Sequence, residues 1–196
     1  MSRRSVLPLF AATVLAACGP SREEVNLAQF EAYQAAREAG DVERAMAYLA
    51  GGFRIVPAGG GEIDRDHARD LLAWDAVVGA RTEWDRKGLE VRKEGIAGDF
   101  TEYSTFHDLI GAAGGRRTHL VFRFDREGGI TEIRTRTLPG QIPLQEKLNP
   151  FLDWMRKNRP EELAEIYPGD RIRYDGESAD RWLAALRGWR DDIRVP

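Results

Sequence analysis

The sequence predicts an α+β fold: three N-terminal helices, a meandering antiparallel sheet, and a C-terminal helical extension. Three observations predict it. Apolar residues recur at helical spacing as far as about Val78, the period falls to two from about Thr82, and helical spacing returns beyond Pro139. Of the 196 residues, 42% are hydrophobic and 31% charged, which excludes collagen, low-complexity disorder and a multi-span membrane protein. With 29 Lys plus Arg against 32 Asp plus Glu, the formal charge is −3. That balance supplies no field for a polynucleotide, so nucleic acid is not an expected partner. A single cysteine excludes an internal disulfide framework and a thiolate zinc cluster.

Before the first helix comes an address. Arg3 and Arg4 precede an uncharged run from Val6 to Ala17, far short of the roughly 20 apolar residues that cross a bilayer. The segment Leu15-Ala16-Ala17-Cys18 resembles the lipobox of bacterial lipoproteins. That resemblance implies a signal peptide over residues 1–17, acylation of Cys18, and attachment to a membrane through lipid rather than through a spanning helix. Gly19 after the cysteine, where Asp would signal retention, implies the outer membrane of a Gram-negative cell and a domain facing the periplasm. Residues 18–26 are expected to be a tether.

The folded part is expected over 27–138. Phe30, Tyr33 and Ala36 mark a first helix that stops at Gly40, and Asp41 N-caps a second carrying Met46 and Leu49. Gly51-Gly52 is expected to end that helix, with Phe53–Val56 as a short strand before Pro57. Asp64 caps a third helix with Ala68, Leu71, Leu72 and Val78 inward and Trp74 nearby. Strands are expected over 82–93, 99–109, 117–125 and 130–138, separated by glycine-containing turns at Gly95–Gly98, Gly111–Gly115 and Gly128-Gly129. The stretch Ala58–Gly61 lacks the spaced glycines and lysine of a phosphate cradle.

Several segments occur in the order found in one family: Tyr33–Asp41, Phe53–Val56, Asp64–Leu72, and Phe122–Asp125 followed by Ile130–Arg134. Together they resemble the nuclear transport factor 2-like (NTF2-like) superfamily, which includes SnoaL-like cyclases and ketosteroid isomerase. The resemblance implies a cone, in which a curved sheet wraps against the helices and leaves a largely apolar cavity open at one end. Members include enzymes, ligand carriers and interaction domains, so the fold alone supplies no function.

Ketosteroid isomerase's working groups can be carried over by position. The oxyanion tyrosine falls on Tyr33, the general base on Pro57, and the second oxyanion donor on Leu120. Pro57 cannot take a proton and Leu120 cannot donate one, so the sequence favours a non-catalytic module. Glu102 is a substitute base only if its side of the strand faces the cavity: Phe100 and Phe106 share one side with it, Tyr103 and His107 the other. The expected pocket residues are Tyr33, Trp74, Trp84, Glu102, Phe106 and Leu120. His67, His107 and His119 show no convergent metal-ligand spacing, and Ser104 and Ser178 no nucleophile context, so no metal or cofactor is expected.

Residues 139–150 carry four turn-forming Pro and Gly residues and are expected to link to a helical extension over 151–193. Phe151, Trp154 and Met155 share a face, Pro160 opens a second helix, and Ser178 caps a third bearing Trp182, Leu186 and Trp189. Helix, helix, extended piece, helix repeats the order of residues 28–78, consistent with a degenerate copy of the helical half or with coincidence. Too short to stand alone, the extension is expected to dock over the cavity mouth or the outer sheet face.

Three functions follow. The first is a membrane-anchored periplasmic lipoprotein whose cavity holds a small apolar ligand or is filled by its own aromatic rings. The second is an isomerase, cyclase or dehydratase using Tyr33 and Glu102. The third is an envelope assembly module that pairs, as a homodimer or with another protein, through the outer sheet face at His119, Arg123, Glu132 and Arg134.

Overall fold

The computed structural model describes residues 19–193; the expected signal peptide and Cys18 lie outside the described residues. Helix α1 (Arg22–Glu38) starts inside the segment expected to be a tether. The reason is local: the Ser21 hydroxyl accepts from the Glu24 amide, and the Glu24 carboxylate accepts from the Ser21 amide at 2.7 Å, a capping box. Asp41 caps α2 (Val42–Ala47) by accepting from the Arg44 amide. Strand β1 (Leu49–Val56) then includes Gly51 and Gly52, which continue the extended chain instead of ending a helix. After β2 (Ile63–Asp64), the Asp64 carboxylate accepts from the His67 amide and opens α3 (Arg65–Val78). Gly79 closes that helix at φ 64°, a left-handed position that a side chain would strain.

The expected strand over 82–93 is two strands, β3 (Arg81–Trp84) and β4 (Glu90–Arg92), parted by a 3-10 turn over 86–88. Asp85 accepts from the Lys87 amide and bends the chain there. Gly95–Gly98, expected to be a turn, opens β5 (Gly95–Tyr103), and the turn is Lys93-Glu94. Gly95 is required inside the sheet because a Cβ there would lie 2.1 Å from the Phe122 carbonyl oxygen. The strand expected to continue to residue 109 stops at Tyr103. The Ser104 hydroxyl accepts from the His107 amide and starts α4 (Thr105–Leu109).

Strands β6 (Arg116–Phe124) and β7 (Ile130–Thr137) complete an open seven-stranded sheet of order β2-β1-β7-β6-β5-β3, with β4 also on β5. The antiparallel pairings expected from the meander are present, and β1 adds one parallel pairing with β7, so the sheet is mixed. One face of this sheet wraps α1 and the near side of α3. Phe30, Tyr33, Phe53, Leu72, Phe100, Leu120 and Phe122 are buried there.

The linker is shorter than expected, because α5 (Leu144–Asn158) begins within it and carries Pro150 inside. Pro160 stands in the first turn of α6 (Pro160–Ile166). The 171–174 segment forms no strand, and α7 (Gly176–Asp192) is capped by Asp175, not Ser178. These helices form a second core with Trp74 and Val78 of α3 and Phe106 and Ile110 from α4 and its end. The extension therefore docks on α3 and α4, at the end of the cone where Glu102 runs into α4.

Candidate functional site

Cross-strand pairing settles which way Glu102 faces. It lies two residues after Phe100, which is buried in the cone, and opposite Arg116 on β6. Its carboxylate accepts from Arg37 Nη2 at 3.1 Å. Arg37 sits one turn after Tyr33 on α1, and its Nε donates to Asp75 Oδ2 on α3 at 2.6 Å. The third nitrogen, Nη1, donates to the Thr82 hydroxyl on β3 at 3.0 Å. Glu38 adds a tie from α1 to β3 by accepting from the Thr82 amide at 2.8 Å. One guanidinium thus joins a helix, a second helix and two strands at the end of the cone where β5 runs into α4.

The electrostatics follow from burial. Desolvation pushes the Tyr33 phenol up to about 12; Arg37 opposes the rise, and Asp75 and Glu102 add to it. The phenol is therefore a neutral hydrogen-bond donor at any physiological pH. Burial also opposes charge on Arg37, but Asp75, Glu102 and Tyr33 overrule it and hold the guanidinium above the ordinary arginine value. Asp75 is the less comfortable carboxylate: desolvation raises it, against the downward pull of Arg37. Chemically, the cluster offers one donor, one fixed cation and two carboxylates already engaged by that cation.

Sequence reasoning missed Arg37 and Asp75. The signal was present: Arg37 is four residues after Tyr33, and Asp75 falls on the stripe of Ala68, Leu72 and Val78, so each is a charge on an otherwise buried helix face. It also missed Gln34, 1% exposed, whose amide oxygen and nitrogen find no partner among the described residues.

The expected pocket residues divide between the two cores. Tyr33 and Leu120 are buried in the cone, with Trp84 packed against them. Trp74 and Phe106 belong instead to the helical core, their rings 5.5 Å apart, because Phe106 lies on α4 and not on the strand. Within the cone, Phe30 meets Trp84 at 5.2 Å, Phe122 at 5.0 Å and Phe100 at 5.8 Å between ring centroids. Edge-on aromatic packing of this kind fills the space between α1 and the sheet.

The histidines stand apart from one another. His67 is exposed and pairs with Asp64 at 2.8 Å, which raises its pKa. His119 meets Asp99 at 2.8 Å on the outer sheet face, and His107 is on α4. Among the described residues, no group of three or more His, Cys, Asp or Glu side chains comes together to hold a metal. The outer face is a charge lattice: Glu132 is nearly buried among Arg54, Arg123 and Arg134. Burial works against its charge, but the bonds from Arg134 and Arg54 hold its carboxyl below the usual value.

No family model matches the chain, and no curated relative does. Similar solved structures exist. One is the epoxide hydrolase/cyclase-like enzyme SalBIII of pyran ring formation in salinomycin, at 18% identity and TM-score 0.48 over 58% of this chain and 91% of that one. Another is an NTF2-like protein of unknown function from Burkholderia xenovorans, at 14% identity and TM-score 0.46 over 65% and 94%. A third, from Cytophaga hutchinsonii, has 8% identity and TM-score 0.46 over 63% and 95%. On its own architecture, helices α1 to α3 closed against one face of an open sheet of order β2-β1-β7-β6-β5-β3, the N-terminal unit has the cone-shaped NTF2-like fold.

Proposed function

We propose that this protein is a membrane-anchored periplasmic lipoprotein whose NTF2-like unit is a non-catalytic structural module. The observation that carries the non-catalytic part is Arg37. It donates to one oxygen of each carboxylate nearest Tyr33, so both are ion-paired groups that tie α1 to α3 and β5 rather than free bases. The aromatic rings of Phe30, Trp84, Phe100 and Phe122 pack on one another between α1 and the sheet, where the family resemblance leads one to expect a cavity. The anchoring part rests on Leu15–Cys18 and on the short distance from Cys18 to the first helix: three residues reach at most about 11 Å to Ser21, which would hold the domain close to the bilayer.

The enzyme reading, with Tyr33 polarising an oxygen and Glu102 moving a proton, draws on the meeting of both residues in one cluster. The two separate in a cell lacking the protein. The double variant Tyr33→Phe with Glu102→Gln keeps both shapes and removes the donor and the base. A structural module carrying it restores the wild-type phenotype to the deletion strain wherever the variant accumulates normally; an enzyme does not. Anchoring is read independently by metabolic labelling with an alkyne fatty acid. Label is expected on the wild type and not on Cys18→Ser, and an unlabelled wild type overturns it.

A further inference from the structure

Between the cone and the helical extension lies a cavity of about 290 Å³, near the lower end of small-molecule sites. Its walls are the α4–β6 loop (residues 111–115), the start of β6, the 140–142 segment and the first turns of α5. His107, Arg116 and Lys147 line it, and no Asp or Glu does. Gln141, Ile142 and Leu144 complete the wall.

The cationic groups are placed, not loose. Lys147 Nζ donates to the Gly111 carbonyl at 3.3 Å, which holds the ammonium against the loop. Arg116 stands opposite Glu102, but Glu102 is held by Arg37, and among the described residues no carboxylate pairs with Arg116. The buried Nδ1 of His107 has no hydrogen-bond partner among the described residues, leaving one polar group unmatched there. Pro143 offers α5 no side-chain cap, and its carbonyl instead accepts from the Glu146 amide at 3.1 Å, which turns the chain into the helix beside the cavity. On the other side, Ile142 is 57% exposed and presents apolar surface to the cavity.

We propose that this seam is a binding site for a small organic anion, with its acidic head between Arg116 and Lys147 and its carbon body on Ile142 and Leu144. A carboxylate and a phosphate monoester share that chemistry. The site is distinct from the cone interior and does not depend on whether Cys18 is acylated. It exists only because the extension docks where it does, and it gives the extension a function beyond covering α3.

The test uses the full-length protein in a nonionic detergent, titrated calorimetrically with benzoate, phenyl phosphate and the neutral isostere benzamide. Saturable binding of benzoate or phenyl phosphate is expected, with benzamide at least about tenfold weaker because it forfeits the charge-assisted bonds. Whichever anion binds more tightly identifies the head group. Arg116→Gln and Lys147→Gln should each weaken binding about tenfold, whereas Lys93→Gln, on a separate hollow beside α1, should leave it unchanged. Circular dichroism confirms that each variant is folded. No binding by either anion, equal binding of benzamide, or full affinity in a folded Arg116→Gln and Lys147→Gln double variant overturns the proposal.

Discussion

The molecule holds two cores of different character joined by one helix. The cone core is a sheet closed over α1, and polar groups are built into it: Arg37 tied to Asp75 and Glu102, and the unpaired amide of Gln34. The helical core is made of large apolar side chains and takes Trp74, Trp154, Trp182 and Trp189, four of the five tryptophans. Its main internal hydrogen bond is Trp182 Nε1 to the Ile166 carbonyl at 3.0 Å. Helix α3 serves both, giving Ala68 and Leu72 to the cone and Trp74 and Val78 to the extension. A helix with two buried sides couples the cores, so neither loses its partner without exposing part of α3.

That coupling is broken most severely at the centre of the helical core. Trp182 is 0% exposed, and Trp182→Ala is expected to cost about 3–5 kcal/mol through lost burial and the cavity left behind. Chemical denaturation followed by far-ultraviolet circular dichroism, in which the strand signal comes from the cone, should show the cone transition moving as well. If only the extension melts, the cores are independent.

At the polar end of the cone, Arg37→Met strands the buried Asp75 and the partly buried Glu102 and should cost up to about 3 kcal/mol at neutral pH. The deficit should shrink on acidification, because protonation removes the uncompensated charges. A loss that does not change between pH 7 and pH 4 would mean that packing, not charge, dominates. Gln34→Leu tests the opposite sign. Removing two unpaired buried polar atoms should stabilise the protein by about 1–2 kcal/mol in a denaturant titration, and a destabilised variant would show that Gln34 has a polar partner in solution.

The smallest effect is a pH dependence. Glu132 has a folded pKa below its unfolded value, so its contribution is present above about pH 4.5 and is lost as pH falls through the lower folded value. Asp75 runs the other way. Its folded pKa is raised, so its contribution is full below the unfolded value of 3.8 and declines as pH rises through the folded one. Glu132→Gln should therefore flatten the acid limb of the melting temperature against pH and leave the limb near neutrality in place. An unchanged acid limb would assign acid lability elsewhere.

Much of the fold was legible because it is written in local pattern. Asp41, Asp64 and Pro160 mark helix starts in the sequence and do so in the structure, since a cap needs only residues within a turn of itself. The errors were also local ambiguities settled from a distance. Ser104 reads equally as a strand residue or a cap; Phe106 becomes helical because Trp74 and Trp182 receive its ring. Gly95 reads as a turn residue, yet it is glycine because the Phe122 carbonyl leaves no room for a Cβ. The candidate site was half visible. Tyr33 and Glu102 were found from position, whereas Arg37 and Asp75 lie 38 residues apart, and nothing short-range links them.

Taken alone, the sequence supplied the Leu15–Cys18 resemblance to a lipobox, the helix caps, the alternation of the strands and the order of elements that resembles an NTF2-like unit. Each depends on spacing within a few residues, where backbone geometry alone sets the outcome. Only the tertiary structure decided that Glu102 faces Arg37, that α3 has two buried sides, and that the extension leaves a basic seam beside α4. Those outcomes depend on which distant surfaces exclude water from each other, and hydrophobic burial has no direction along the chain.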